Sequence, residues 1–386
     1  MKIKLSLISG VFSLLITACG SPSSKIDKLE PLETIEPKWA QGFLIERYPD
    51  YTKATIFNPW GDKREELASY YLVSRDMDSS IVVPMGAQVV KVPLHSVAVT
   101  SSTHLGFMDA LGSLGAVSAI CYPDRVYQPE IRRRYANGEL VDLEDPFKLN
   151  FEKLIALSPE ALIASGYNQF DESTMRVKRF GIPVLFNNEW MESTPLARAE
   201  WIKFMALFFD ASQKADSIFN VVSTNYLSLR DSAQRSSSRP EIMNGENFRG
   251  TWYMPGGANW MSHLFVDAAA SYSFANDTTR GSLPLSVEAV MHKFSGASVW
   301  VNPNAASLDE LKSNDSRHTI FEAYKRGEVY ANDATSNALG NDYWESGVVR
   351  PDWLLADYVH VLHPGLLPNH RLHFLRKLTK SNTPSL

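Results

Sequence analysis

The hydrophobic pattern changes period several times along the chain, and each change marks an element. FLIERY (43–48), KATIFNPW (53–60) and SYYLVSRD (69–76) are rich in β-branched and aromatic residues and predict strand pairs between Trp39 and Arg75. From Gln88, VVKVPLHSVAVTSS reads as a strand ending in small polar residues. THLGFMDALGSLGA then turns to helical spacing, with Leu105, Met108 and Leu111 on one side. The alternation continues with VSAIC (strand), NFEKLIALS (short helix closed by Pro159), ALIAS (strand), STMRVKRFG (helix to Gly181) and PVLFNN (strand). Alternating strands and helices with short turns argue for parallel β–α units around a covered sheet.

A helical region follows. Ser193-Thr194-Pro195 offers a cap with proline in the first turn, and Trp201, Phe204, Met205 and Phe208 recur at helical spacing. Asp210 with Gln213 resembles a capping box, which predicts a second helix from Ala211 to about Gln234. At 1.5 Å per residue it is about 36 Å long, enough to reach from one domain to the next. After SSSRP a second β–α half begins: EIMN (strand), RGTWYMPGGAN (glycine-containing turn), WMSHLFVDAA and SVEAVMHKF (helices), ASVWVN and EVYAN (strands). PDWLLADYVHVLHP is an amphipathic helix with Trp353, Leu354, Tyr358 and Leu362 inward.

The chain begins with a positive pair (Lys2, Lys4), an apolar run Leu5–Ile16, small residues Thr17 and Ala18, and Cys19. The run is shorter than the roughly 20 residues of a membrane span and fits a secretory signal (1–18). Ile-Thr-Ala-Cys resembles the bacterial lipobox, which implies acylation of Cys19 and a membrane-anchored lipoprotein on the periplasmic side of the cell envelope. The polar, proline-containing segment 19–37 reads as a tether. With Cys19 acylated, Cys121 has no partner for a disulfide. It sits in an apolar run and reads as a buried structural thiol. The remaining length favours two domains. A net charge of −5 without a basic stripe argues against nucleic acid as a partner. Nine tryptophans and fifteen tyrosines suit a protein that grips a large flat ligand.

Two stretches echo one another. FEKLIALSPEALIAS (151–165) laid over VEAVMHKFSGASVWV (287–301) places Glu152 on Glu288 and Leu154 on Val290, each acid second in a helix that leads into an apolar strand. Taken singly, each acid reads as a helix N-terminal glutamate favoured by the macrodipole. Together they suit a two-lobed protein docking on a two-fold partner with basic pockets.

With these residues the chain resembles the substrate-binding proteins of ABC importers that carry iron–siderophores, haem or vitamin B12. The matching features are Phe151-Glu152, Leu154-Ile155, Pro159 and Ala161–Ile163 in the first unit, and Ser286-Val287-Glu288, Val290-Met291 and Ala297–Val301 in the second. The second unit departs in having Gly296 where the first has Glu160, and in lacking the proline. The resemblance covers about Val89 to Lys377. It implies an α/β fold of two Rossmann-like lobes joined by a single long helix, here with an N-terminal strand-rich extension that the family does not explain. The corresponding divisions are 38–190 (first lobe with extension), 191–235 (helical linker with the bridging helix) and 236–386 (second lobe). It further implies that Glu152 and Glu288 meet arginines of a dimeric permease, and that the ligand is a metal chelate or corrinoid, with an iron–siderophore first, vitamin B12 second and haem third.

Ligands of open α/β sheets sit beyond the carboxyl ends of the strands. Applied strand by strand, that rule selects Thr103 and His104, Tyr122, Tyr167 and Trp190 in the first lobe, and Arg249, Trp252, Tyr253 and Arg280 in the second. Aromatic faces hold a flat ligand and arginine forks hold carboxylate or catecholate oxygens. His360, His363, His370 and His373 cluster near the C-terminus, but Pro364 and Pro368 break the segment and no carboxylate or cysteine completes a set, so no metal site or cofactor is assigned. No G-x-S-x-G elbow is present, and PGGAN lacks the Lys-Ser/Thr ending of a phosphate loop. The sequence reads as a binding protein rather than an enzyme, with an extracytoplasmic lipoprotein hydrolase as the alternative of another class.

Overall fold

The computed structural model describes residues 30–61, 63–77, 83–84, 87–166 and 172–381. The signal, Cys19 and Tyr167 lie outside the described residues. The tether is shorter than its composition suggests, because β1 (Glu33–Ile35) already pairs with β2 (Phe43–Arg47). β3 (Thr52–Phe57), β4 (Glu66–Ser74) and β5 (Gln88–Val92) complete a five-stranded N-terminal sheet in sequence order, antiparallel except for the parallel β4–β5 pair. The run from Gln88 is therefore two strands in two sheets. It breaks at Pro93, which has no N–H for a ladder, and resumes as β6 (Val97–Val99).

The first lobe continues with α1 (Ser102–Leu111), β7 (Val117–Ile120), α2 (Pro129–Ala136) and β8 (Val141–Asp142). A small hairpin, β9 (Glu144–Asp145) and β10 (Lys148–Leu149), precedes α3 (Phe151–Leu157), β11 (Ala161–Ala164), α4 (Glu172–Arg179) and β12 (Val184–Phe186). Its sheet is parallel in the order β12-β11-β6-β7-β8, a doubly wound arrangement that reverses direction between β6 and β11. The N-terminal sheet covers the open edge: Val184 N–H donates to Gln88 Oε1 (2.9 Å) and Phe186 N–H to Tyr70 Oη (2.9 Å).

α5 (Pro195–Ala206) starts as the sequence suggests, with Pro195 at its first turn and Thr194 Oγ1 accepting from Ala197 N–H. It is not a linker, however. Every residue but Lys203 is buried, and Trp201 and Phe204 pack on Phe43 of β2 at ring separations of 5.1 and 5.7 Å. α6 (Ser212–Gln234) is the long helix. Asp210 does not cap it; it sits in the left-handed region (φ 52°) closing the preceding turn. Ala215 and Phe219 of α6 belong to the first hydrophobic core, Tyr226 and Ala233 to the second.

The second lobe runs β13 (Ile242–Asn244), β14 (Asn247–Phe248), β15 (Thr251–Pro255), α7 (Trp260–Asp267), β16 (Ser282–Ser286), α8 (Val287–Phe294), β17 (Val299–Val301), α9 (Leu308–Asn314), α10 (Glu322–Arg326), β18 (Val329–Ala331), α11 (Ser346–Val349), α12 (Pro351–Leu362) and β19 (Arg376–Lys377). β13, β17 and β18 are parallel and β19 closes the edge antiparallel. The stretch read as a turn, RGTWYMPGGAN, instead holds the central strand of an antiparallel β14-β15-β16 sheet. In α12, Leu354, Tyr358 and Leu362 point inward, but Trp353 is 38% exposed with the Arg350 guanidinium 3.7 Å from its ring centre.

Candidate ligand-binding cleft

The direction change between β6 and β11 places Ser101, His104, Ser165 and Gly166 at one spot. Ser101 caps α1 through Thr103 N–H (3.3 Å), and the Thr103 hydroxyl lies 2.9 Å from Ser101 Oγ. His104 is fully buried with Nε2 3.2 Å from Ser165 Oγ; burial lowers its pKa to about 4, so it stays neutral. It is a packed histidine, hydrogen-bonded through Nε2. Over the end of β11 lies Trp60 of the N-terminal sheet. A Cβ on Gly166 would stand 3.0 Å from Trp60 Cη2 and 3.1 Å from Asn188 Oδ1, which accepts from Gly166 N–H (2.7 Å). A side chain there would require the Trp60 ring or the Asn188 amide to give by a few tenths of an ångström.

The floor between the lobes is polar and buried. Glu189 faces Arg198 (Oε1 to Nη2, 3.4 Å), and the Arg198 guanidinium lies 4.3 Å from the ring centre of Trp260 on α7. Burial pushes the Glu189 carboxyl above its ordinary range against the pull of Arg198. On the second-lobe side, Tyr358 Oη lies 3.1 Å from Asn302 Nδ2, which donates to Asn244 Oδ1 (2.7 Å). Thr100 Oγ1, the Asn187 side chain, Asn188 Nδ2, Glu189 Oε2 and Arg198 Nε have no hydrogen-bond partner among the described residues. Buried polar groups are ordinarily paired, so this concentration of spare donors and acceptors is the chemistry of a wet or ligand-facing floor.

A cavity of about 500 Å³ lies beside it. Its walls are the segment Glu36–Gly42, the β3–β4 connection (Phe57–Pro59, Gly61, Lys63, Arg64), the turn at Asn188 and Met191–Ser193, Trp201, and Arg280 of the second lobe. Two buried carboxylates fix the first wall. Glu200 accepts from the backbone N–H of Lys38, Trp39 and Ala40 (2.7–3.0 Å). Glu192 accepts from Gln41 and Gly42 N–H and from Trp201 Nε1 (2.9–3.2 Å).

Of the residues selected from strand ends, Arg280 lines this cavity, and Trp190, 36% exposed, belongs to the same turn as Asn188 and Met191. Thr103 stands on the floor beside Glu189. Tyr122 ends β7 in the left-handed region (φ 51°) with the Arg125 guanidinium 4.5 Å from its ring centre, beside Asp145. Arg249 and Tyr253 are exposed on the β14–β15 hairpin. Trp252 does not face a ligand. Strand alternation turns it inward, where it is fully buried against Trp300, His318 and Phe321 and donates through Nε1 to Asn244 O (2.7 Å). Glu192, Glu200, Trp60, Lys63 and Arg64 were not selected. Glu200 alone carries a local signal, since Leu196, Glu200 and Phe204 share one helix face that is otherwise apolar.

The periplasmic binding protein family matches residues 97–335, well over half of the chain. The chain belongs to that family. A sequence relative, an uncharacterized lipoprotein of Methanocaldococcus jannaschii, is 26% identical over 306 residues, 76% of this chain and 71% of the relative. Among solved structures, a periplasmic haem-binding protein of Roseiflexus sp. RS-1 superimposes with a TM-score of 0.56 at 17% identity, covering 71% of this chain and 99% of that one. An ABC-type Fe3+-hydroxamate transport protein of Saccharomonospora viridis gives 0.53 at 16% identity, covering 69% and 92%. At these identities the structures establish the shared two-lobed fold. The matched span starts at Val97, the first residue of β6, so the N-terminal sheet of this binding protein lies outside it.

The two echoed glutamates of the binding protein occupy equivalent positions. Asn150 Oδ1 accepts from Lys153 N–H (3.1 Å) at the start of α3, and Ser286 Oγ from Ala289 N–H (3.1 Å) at the start of α8. Glu152 and Glu288 are each the second residue of their helix, and both are exposed. Each helix leads directly into a parallel strand, so its N-terminus lies toward the strands' carboxyl ends, the side on which the cleft opens. Glu288 also pairs with Arg317 (2.9 Å) in an exposed contact of little energetic weight. The C-terminal histidines have separate partners: His360 with Leu367 O, His363 with Ala269 O, His370 with Asp357 (2.6 Å) and His373 with Asp342 (3.3 Å).

Proposed function

We propose that this protein is the extracytoplasmic receptor of an ABC importer, capturing an iron–siderophore complex between its lobes and delivering it to a dimeric permease without chemical change. The observation that carries the reading is the placement of Glu152 and Glu288: one acid per lobe, at the same position of equivalent helices, on the side where the cleft opens. Such a pair suits a two-fold partner with a basic pocket on each subunit. Acylation of Cys19 would hold the receptor at the membrane. Among the described residues no helix is long and apolar enough to cross one. Relatives described as haem-binding and as Fe3+-hydroxamate transport proteins support an iron chelate as the ligand class. The packed state of His104 weighs against it as an axial ligand for haem or a corrinoid.

The test is the double variant Glu152→Ala/Glu288→Ala. Titration of the purified variant with ferric siderophore should match the wild type, while uptake of radioactive iron by cells carrying the permease is lost. Normal uptake would refute the docking assignment. Failure of the wild type to bind any ferric siderophore would refute the ligand assignment.

A further inference from the structure

The N-terminal sheet lies outside the span that matches the family, yet it is built into the first lobe. Phe43, Ile45, Ile56, Tyr70 and Leu72 share a hydrophobic core with Trp201 and Phe204. Two of its segments wall the cavity beside the cleft, and a third wall comes from Arg280 on the second lobe.

Among the described residues, the charges lining that cavity do not balance. Its cations are Lys38, Lys63, Arg64 and Arg280, and its carboxylates are Glu36 and Glu192. Glu192 is buried and saturated by Gln41, Gly42 and Trp201. Glu36 pairs with Arg64 (3.5 Å), whose guanidinium also lies 4.2 Å from the Phe57 ring centre. Arg280 and Lys63 have no carboxylate within salt-bridge distance among the described residues. Trp60, from the same β3–β4 connection, closes over the end of β11, so this connection reaches the place where an α/β sheet presents its ligand.

We propose that the N-terminal sheet is a third wall of the ligand site and that it selects for negative charge: the receptor takes an anionic ferric chelate, its acidic oxygens facing Lys63, Arg64 and Arg280. This rests on the iron-chelate reading above and adds to it the sign of the ligand's charge and the segment that reads it. Cations on walls from two different lobes close on one anion only when both lobes are in place, which ties recognition to the bound geometry.

The experiment compares two hexadentate probes by quenching of tryptophan fluorescence, a triply negative ferric tris-catecholate and a charge-neutral ferric tris-hydroxamate. Lys63→Glu/Arg64→Glu should weaken the anionic probe by about ten-fold or more, as expected for reversing two nearby charges. Arg280→Glu, on the other lobe, should act in the same direction. The neutral probe should lose much less affinity than the anionic one in both variants, and far-UV circular dichroism with thermal melts shows that they are folded. Added salt should weaken the anionic probe in the wild type more than in the double variant. Equal affinity of the anionic probe for wild type and variants, or equal losses for both probes, overturns the assignment of the wall while leaving the iron-chelate reading intact. Binding of neither probe by the wild type removes both.

Discussion

Glu200 offers the sharpest test of how the N-terminal wall is held. It is fully buried, and its two oxygens accept from three successive backbone donors, Lys38 N–H (3.0 Å), Trp39 N–H (2.7 Å) and Ala40 N–H (3.0 Å). Glu200→Ala removes all three acceptors. Lys38 is exposed and its N–H can turn to water, but Ala40 is buried and Trp39 half-buried. A hydrogen bond to a charged group contributes about 1.5–3 kcal/mol, and two that water cannot replace give a loss of about 3–5 kcal/mol. Glu200→Gln keeps one acceptor oxygen for Trp39 and Ala40 and should cost about 1–2 kcal/mol. Guanidinium denaturation followed by tryptophan fluorescence gives the stability, and limited trypsin digestion at Lys38 reports whether the segment has loosened. An alanine variant within about 1 kcal/mol of wild type, with Lys38 still protected, would refute the claim that this carboxylate anchors the wall.

Two further outcomes are expected. Glu345, buried at the lobe boundary where it accepts from Tyr127 N–H (2.6 Å) and Gln128 N–H (2.9 Å), has its carboxyl pushed up by burial to about 7. The folded state then holds a proton that the unfolded chain releases near 4.5, so this contribution is full below that pH and is lost as pH rises through 7. The contribution is roughly 3 kcal/mol, and thermal melts from pH 5 to 8 should show a decline that Glu345→Gln flattens; an identical pH profile in the variant would contradict this. Trp252→Ala should destabilise by about 3–5 kcal/mol, as for any fully buried tryptophan, while the folded fraction titrates ligand normally. A weakened titration with unchanged stability would return Trp252 to the ligand site.

The parallel strands, the helices between them and the long helix were legible because each carries a period of its own: Leu105, Met108 and Leu111 share a buried face of α1 as their spacing requires. What was misread turned on long-range pairing. Thr251–Pro255 alternates as a strand, but its glycine-rich flanks mimic a turn, and only the partner β16 decides the matter. Pro93 separates two strands that look continuous, because local composition does not say which sheet a strand joins. Trp252 and Tyr253 are neighbours with opposite fates: alternation on β15 buries one and leaves the other 52% exposed, a choice fixed by which face meets the core.

The same contrast explains why the cleft was half legible. Strand ends can be counted along a chain, so Thr103, Trp190 and Arg280 were within reach. The wall opposite them comes from a sheet whose link to the cleft is a backbone strap held by acids about 150 to 160 residues away, Glu192 and Glu200. Acids in a helical region ordinarily read as solvated surface. Here their burial is offset chiefly by backbone donors that the helix itself does not supply, with Trp201 Nε1 adding to Glu192 and Lys203 to Glu200 (3.6 Å). A carboxylate on the apolar face of a helix is thus a statement about some other segment, and in this chain that segment is the strap that walls the cavity beside the cleft.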